Sequence, residues 1–268
     1  MNQTRKAWIN GLFFVATLAI NTIGAVGLIN GLSQKQISDM YLTLITPSPT
    51  TFGIWGIIYS LLLVSLVMMI IRKKDSYYGV AVENISVLFR VSCVLNMVWI
   101  ITFSYVWIEL SVLFIFGLAV SLTLICLKLL KIQDKKRWLL PLTFGLYTGW
   151  LYIATVVNIS AALVKIKWSG FGVASDIWAI VILIVAMLLV ILVCEITRNA
   201  VFPLPIAWAY FGIYQFLVAP AGFHGQYGTL QTVALAGMAV LIGEAVIRFY
   251  RNRFSLLPIC AGKLDSNS

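Results

Sequence analysis

Aromatic and amide residues recur at helical spacing in three apolar segments, and they carry the clearest chemical signal in this sequence. In the first segment, Phe52, Trp55 and Tyr59 are spaced i, i+3 and i+7, directly after Pro47 and Pro49. The prolines end an irregular stretch, and the three rings then share one stripe of the helix that follows. Such a stripe can hold a flat apolar molecule by ring contacts, so it predicts one wall of a ligand pocket.

The other two segments add amide groups to this pattern. Asn96, Trp99 and Phe103 lie on one face of the second segment, and an amide there needs a partner because an unsatisfied polar group in hydrocarbon is costly. The third segment contributes Tyr147, Trp150, Ala154 and Asn158. A plainer interpretation is that the rings form interfacial belts and that Gly145 and Gly149 are helix contacts. The two interpretations remain open, and the polar members of each stripe favour a pocket.

Catalytic and metal-binding patterns do not emerge from the sequence. Its single histidine, His224, lies in a predicted loop, and the four cysteines show no CxxC or Cys/His spacing. We expect no catalytic residue, no metal site and no cofactor.

Composition indicates the elements that must position these residues. The chain is 61% hydrophobic and 10% charged, with a mean hydropathy of +0.99, which predicts an all-α integral membrane protein. The apolar runs do not alternate with polar residues as the strands of a membrane barrel would. We predict eight spans, at 8–28, 52–71, 86–107, 110–130, 138–158, 177–197, 201–219 and 230–248. The seventh begins amid Pro203 and Pro205, which predicts that it is broken or re-entrant.

Positive charge is distributed unevenly between the predicted loops. With both termini cytoplasmic, only Lys35, Lys165 and Lys167 fall on the outer side. This asymmetry follows the positive-inside rule and predicts a multi-pass protein of the cell membrane. The net charge of +10 therefore reflects topology, and we expect no nucleic-acid partner.

The chain divides into two predicted parts and a tail. We expect a five-helix bundle over 1–168, a three-helix extension over 169–250, and a cytoplasmic tail over 251–268. No internal repeat is evident, so an inverted-repeat transporter is unsupported.

Local spacing also suggests ion pairs near the inner surface. Glu244 and Arg248 are spaced i, i+4, and Glu195 lies three residues before Arg198. Arg90 either reaches the inner interface or pairs with Glu83.

The order of the three motifs resembles the translocator protein family (TspO, the tryptophan-rich sensory proteins). In that family a proline-aromatic segment begins helix two, Leu-Asn-x-x-Trp lies in helix three, and a Trp-to-Asn motif lies in helix five. This chain has 47–59, 95–99 and 150–158 in that order, and the resemblance covers about residues 1 to 165. It departs at Thr50, where the family has tryptophan, and at Ile153, where it has phenylalanine.

The resemblance implies a pocket between the five helices and the outer segment 29–51. Its implied occupant is a hydrophobic, planar molecule of tetrapyrrole or sterol type, held by the aromatic and amide residues above. The lipid bilayer is the other implied partner, and a homodimer is left open. Because Thr50 replaces a family tryptophan, porphyrin-modifying activity is disfavoured. The alternative function is a transporter or permease for a small hydrophobic or amphipathic substrate, using all eight spans.

Overall fold

The structure is a computed structural model that describes residues 2–72, 75–134 and 137–258. These residues form α-helices, short 3₁₀ turns and connecting loops, without a β-strand among them. The helices are α1 (Gln3–Ala25), α2 (Gln34–Met40), α3 (Ile54–Ile71), α4 (Ser76–Ser104), α5 (Ile108–Lys131), α6 (Leu139–Lys165), α7 (Ser175–Thr197), α8 (Leu204–Val218) and α9 (Gly228–Arg251). The predicted all-α membrane class is confirmed.

Seven of these helices are long and apolar enough to cross a membrane: α1, α3 (with its 3₁₀ lead-in), α4, α5, α6, α7 and α9. They correspond to seven of the eight predicted spans. The seventh predicted span, 201–219, is represented by α8, which has only 15 residues. At a rise of ~1.5 Å per residue, α8 covers about 22 Å of a ~30 Å hydrocarbon core.

An irregular and buried stretch, residues 199–203, directly precedes α8. Gly145 and Gly149 of α6 make room for it, because a Cβ on Gly149 would lie 2.2 Å from the backbone oxygen of Phe202. The side-chain amide of Asn199 donates to the oxygen of Pro141 at 2.8 Å, and its oxygen accepts from the backbone of Val201 at 3.1 Å. Irregular backbone at membrane depth is tolerated where protein buries it and pairs its polar groups. This stretch meets that condition, and α8 itself is continuous.

The long segment between α1 and α3 contains a helix that hydropathy did not predict. α2 is too short and too polar for a span, and it begins with a capping box in which Ser33 and Gln36 exchange hydrogen bonds. Its one buried side chain is Ile37. A short 3₁₀ helix, Pro49–Gly53, then leads into α3.

Helices that follow one another along the chain alternate in direction and define two ends of the bundle, whereas α1 and α4 run parallel, because Asn10 meets Ser86 and Asn21 meets Asn96. The loop face carries the segment 26–53, and the terminal face carries the N-terminus and residues 252–258. Polar side chains join neighbouring helices: Asn10 of α1 donates to Ser86 of α4 at 2.9 Å, and Ser65 of α3 pairs with Thr143 of α6 at 2.8 Å. Such pairs satisfy groups that lipid cannot.

The two predicted parts of the chain touch through α8. Trp208 of α8 donates its indole N–H to the backbone oxygen of Thr51 at 3.0 Å, and the backbone N–H of Ser48 donates to Gly212 at 2.9 Å. Thr51 is fully buried, and a Cβ on Gly212 would lie 2.0 Å from its hydroxyl. The division at residue 168 stays a prediction, and so does the role of 251–268, of which 259–268 lie outside the described residues.

Ion pairs at the terminal face differ in part from those predicted by local spacing. Arg248 does pair with Glu244, at 3.0 Å. Glu195, however, pairs with Arg248 and with Arg251 of α9 instead of Arg198. Glu83 likewise pairs with Lys6 of α1, while Arg90 donates to the backbone of its own helix. Tertiary contacts between distant helices override the local spacing in both cases.

Candidate functional site

Trp55 is the centre of an aromatic cluster on the loop-face side of the bundle. Its ring lies nearly parallel to those of Tyr59 and Trp99, with interplanar angles of 22° and 29° and centroid distances of 5.1 and 6.4 Å. Tyr147 and Trp150 of α6 approach it edge-on, each at 6.1 Å. Three helices thus contribute rings around one residue.

Two further predicted residues extend this cluster at its margins. Phe52 meets the ring of Trp150 edge-on at 5.8 Å and is 42% exposed, the most accessible of the contributing rings. Phe103 contacts Trp99 at 6.4 Å. The cluster is therefore reached most readily from the Phe52 side, where the 3₁₀ helix leads into α3.

Asn96 links the cluster to two other helices through its buried amide. Its Nδ2 donates to the hydroxyl of Tyr147 at 3.2 Å, and its Oδ1 accepts from Asn21 of α1 at 2.6 Å. Asn96 has no exposed surface. The amide predicted to need a partner has two, and they fix the position of the Tyr147 ring.

Asn158 likewise links the cluster to a neighbouring helix, at a position closer to the loop face. Its Oδ1 accepts from the indole N–H of Trp99 at 3.0 Å, and its Nδ2 donates to Ser111 of α5 at 3.0 Å. The orientation of Trp99 is therefore set by a hydrogen bond across the bundle.

Trp150 differs from Trp99 in the state of its indole N–H. The residue is 2% exposed, and within the described chain its Nε1 has no hydrogen-bond partner. A buried donor without an acceptor costs about 1–3 kcal/mol. An acceptor atom supplied by a ligand would remove that cost.

The structure thus connects nine of the ten predicted ligand-binding residues by ring contacts or hydrogen bonds. The tenth, Ala154, is half-buried beside the same apolar core.

Sequence reasoning missed the contribution of α1 to this site. Phe14 contacts the ring of Tyr59 at 6.2 Å, and Asn21 bonds to Asn96. A signal existed, since Asn10, Phe14, Thr17 and Asn21 are spaced i, i+4, i+7 and i+11 and form one face of α1.

The two departures from the translocator pattern occupy different surroundings. Thr50 is exposed, and its hydroxyl contacts that of Ser48 at 3.0 Å. Ile153 is buried in the core and 2% exposed. The tryptophan that the family carries at the first position is thus replaced by a small polar residue at the surface.

A metal-binding group is not apparent in the described ranges 2–72, 75–134 and 137–258: no three His, Cys, Asp or Glu residues there come together suitably.

Comparison with known proteins supports the resemblance. A family model described as TSPO-like protein matches residues 7–247. The chain belongs to the TSPO-like family. The match continues past residue 165, where the resemblance read from the motifs ended, so it includes α7, α8 and nearly all of α9. No curated protein matches the chain, and no solved structure does.

Membership of the TSPO-like family identifies the chain at a coarse level as a multi-pass membrane protein of the sensory and binding type. The predicted aromatic and amide residues of the site lie on the 3₁₀ helix Pro49–Gly53 and on α3, α4 and α6, the elements that carry the family-like motifs.

Proposed function

We propose that this TSPO-like protein binds a hydrophobic, planar ligand at the Trp55 cluster, below the loop segment 29–51. The observation that carries the proposal is the buried indole N–H of Trp150, which lacks a partner beside rings able to stack. A porphyrin-like molecule offers both a flat face and hydrogen-bond acceptors. Stacking would supply most of the affinity, and the N–H would orient the ligand.

The arrangement of rings indicates how such a ligand would be accommodated. Trp55 lies nearly parallel to both Tyr59 and Trp99, so its ring already has the orientation of a stacked planar guest. A ligand that enters beside Phe52 would displace Trp55 or extend the stack. Tyr147 and Trp99 are held by Asn96 and Asn158, so these rings would stay in place while Trp55 moves.

Binding of protoporphyrin to the purified full-length protein tests this proposal. We expect saturable changes in the porphyrin absorption spectrum with the wild type and their loss in a Trp55→Ala/Trp99→Ala/Trp150→Ala variant. Trp8→Ala, Trp107→Ala and Trp138→Ala, at exposed positions, form the matched control variant and should bind normally. Equal binding by both triple variants would refute the site.

The alternative function, transport, would use a broken seventh span as a moving element. The region of that span gives no specific support for transport. The irregular residues 199–203 before α8 are buried among protein side chains, and several of their polar groups are paired. We therefore propose binding without flux, and we propose no enzymatic step.

A further inference from the structure

A cavity of about 430 Å³ lies on the loop face between α6 and α7, apart from the Trp55 cluster. None of the ten predicted ligand-binding residues lines it. Its walls come from five stretches of chain: residues 42–45, the end of α6 at 160–164, the connection 168–173, the start of α7 at 175–182, and Phe223 with Tyr227. The volume falls within the ~300–1,000 Å³ typical of small-molecule sites.

The described residues that line this cavity carry mostly apolar side chains with a few hydroxyl groups, and none of them is charged. A groove at the terminal face provides a contrast, since Lys128, Lys131 and Asp134 line it. Burying an unpaired charge is costly, so this uncharged lining favours a neutral occupant over an anion or a cation. Its chemistry fits an uncharged molecule.

Polarity changes with depth along the cavity. The buried hydroxyls are already used: Ser160 donates to the backbone of Val156 at 3.1 Å, and Thr43 pairs with Thr46 at 3.0 Å. Ser169 and Ser175, which are exposed at the upper end, make no side-chain hydrogen bond within the described chain. The upper end therefore offers free hydroxyls, whereas the lower end offers Ile182 and other apolar groups.

The cavity also follows α7. Its lining on α7 extends from Ser175 to Ile182, which is about 10 Å at a rise of ~1.5 Å per residue. A site with a hydroxyl-bearing upper end and an apolar lower end matches a single hydrocarbon chain with a small neutral head group.

Aromatic residues form a rim at the upper end. The rings of Trp168 and Trp178 lie 5.0 Å apart, and the indole N–H of Trp178 donates to the oxygen of Gly170 at 2.9 Å. Phe171 beside them is 82% exposed and has a φ of 54°, a conformation that bulky residues seldom adopt. Strained backbone of this kind is often found at ligand-binding segments.

We propose that this cavity binds an uncharged single-chain lipid of the monoacylglycerol class, taken from the membrane leaflet at the loop face. The glycerol hydroxyls lie against Ser169 and Ser175, and the acyl chain runs down between α6 and α7. The site depends on α7 and the loop before α9, so the C-terminal helices create it. It is independent of ligand binding at the Trp55 cluster.

Photo-crosslinking in phosphatidylcholine nanodiscs tests the site directly. The probe is a monoacylglycerol with a diazirine in its acyl chain, applied to the full-length protein and mapped by mass spectrometry of peptides. We expect saturable labelling of 160–164 and 175–182 that unlabelled monoacylglycerol abolishes and that oleate, an anion of the same chain type, leaves in place. Labelling spread evenly over lipid-facing helices, or equal competition by oleate, would overturn the proposal.

Variants on α7 provide matched controls for this experiment. Ala179→Phe places a ring in the cavity and should abolish the saturable labelling, whereas Val181→Phe, at a 40% exposed position on the same helix, should preserve it. If Ala179→Phe does not fold, a Ser169→Ala/Ser175→Ala variant, which leaves the packing intact, provides the test. This double variant should weaken probe binding. Unchanged labelling in a folded Ala179→Phe protein, or in the double serine variant, would contradict the site.

The Trp55→Ala/Trp99→Ala/Trp150→Ala variant should retain the labelling of the cavity. Loss of labelling in that variant would assign the lipid to the aromatic cluster instead.

Discussion

At the scale of single residues, two tryptophans differ in whether their indole N–H has a hydrogen-bond partner. Variants of the two residues can therefore distinguish an effect on ligand binding from an effect on stability. The N–H of Trp208 is bonded to the oxygen of Thr51, whereas that of Trp150 has no acceptor within the described residues. Replacement of each by phenylalanine removes the same donor from different surroundings. The pair can therefore distinguish a binding group from a structural one.

We predict that Trp150→Phe lowers protoporphyrin affinity by about 2- to 12-fold, since a net hydrogen bond contributes ~0.5–1.5 kcal/mol. Its thermal stability should change little, because relief of the unpaired buried donor offsets the packing lost with the smaller ring. Trp208→Phe should do the reverse, leaving affinity unchanged and destabilising the protein by about 0.6–2 kcal/mol, as membrane hydrogen bonds do. Binding isotherms and detergent-based melting curves measure both effects, and full affinity in Trp150→Phe would contradict a role for its N–H.

Asn96 offers a second residue-scale prediction. Asn96→Ala leaves the Tyr147 hydroxyl and the Asn21 amide without their shared partner, so we expect a loss of about 1–3 kcal/mol in the free energy of unfolding. The control is Asn84→Ala on the same helix, where the exposed amide bonds only to the backbone of Val80. Equal melting temperatures for the two variants would show that the Asn96 network contributes nothing.

At the scale of elements, α6 and the buried stretch before α8 fit together because two glycines lack side chains. Gly145 and Gly149 were recognisable as small residues four apart, which indicates a close helix contact. Their partner could not be foreseen, because residues 199–203 have no helical period and their burial depends on the whole assembly.

We predict that Gly149→Ala disrupts this contact, since its Cβ would lie 2.2 Å from the oxygen of Phe202, which cannot move without displacing the stretch. Gly56→Ala on α3 is the matched control, because nothing lies within 4 Å of its added Cβ. Alanine is the better helix former by about 1 kcal/mol, so the control should be neutral or more stable. Denaturation of the two purified variants checks this, and equal stability would show that α6 does not need the glycine.

Sequence patterns anticipated some elements better than others. Hydropathy located α1, α3 to α7 and α9, because each is a long apolar helix. It missed α2, although the Ser33 and Gln36 capping box was readable, and it extended α8 into the irregular stretch. Ion pairs such as Glu195 with Arg248 join helices far apart in sequence, so local spacing predicted the wrong partner for Glu195.

For the candidate site as well, sequence patterns predicted some features and missed others. Periodicity placed Trp55, Trp99 and Trp150 on facing stripes, and the structure connects them. It did not find Phe14 or Asn21, because α1 was treated only as a span. The state of the Trp150 N–H depends on neighbours from other helices, so no spacing rule could have supplied it.

At the scale of the whole molecule, the short α8 determines whether both termini lie on the same side of the membrane. If 199–218 crosses the membrane, the chain has an even number of crossings and both termini are cytoplasmic, as the distribution of lysine and arginine predicts.

Single cysteines introduced at Asn2, Lys35 and Arg253, in a Cys260→Ser background, test this topology. All three positions are exposed, while Cys93, Cys126 and Cys194 are buried. An impermeant maleimide should label Lys35→Cys in intact cells and the other two variants only after permeabilisation. Labelling of Arg253→Cys but not Asn2→Cys in intact cells would mean that α8 does not cross.

The most direct test of the central claim is fluorine NMR of the protein labelled with fluorotryptophan, with protoporphyrin added. The chain has 9 tryptophans, and single Trp→Phe variants assign their resonances. We predict large shifts for Trp55, Trp99 and Trp150 at saturating ligand, and small ones for the exposed Trp8, Trp107 and Trp138. Shifts confined to the exposed tryptophans would contradict a ligand site at the Trp55 cluster.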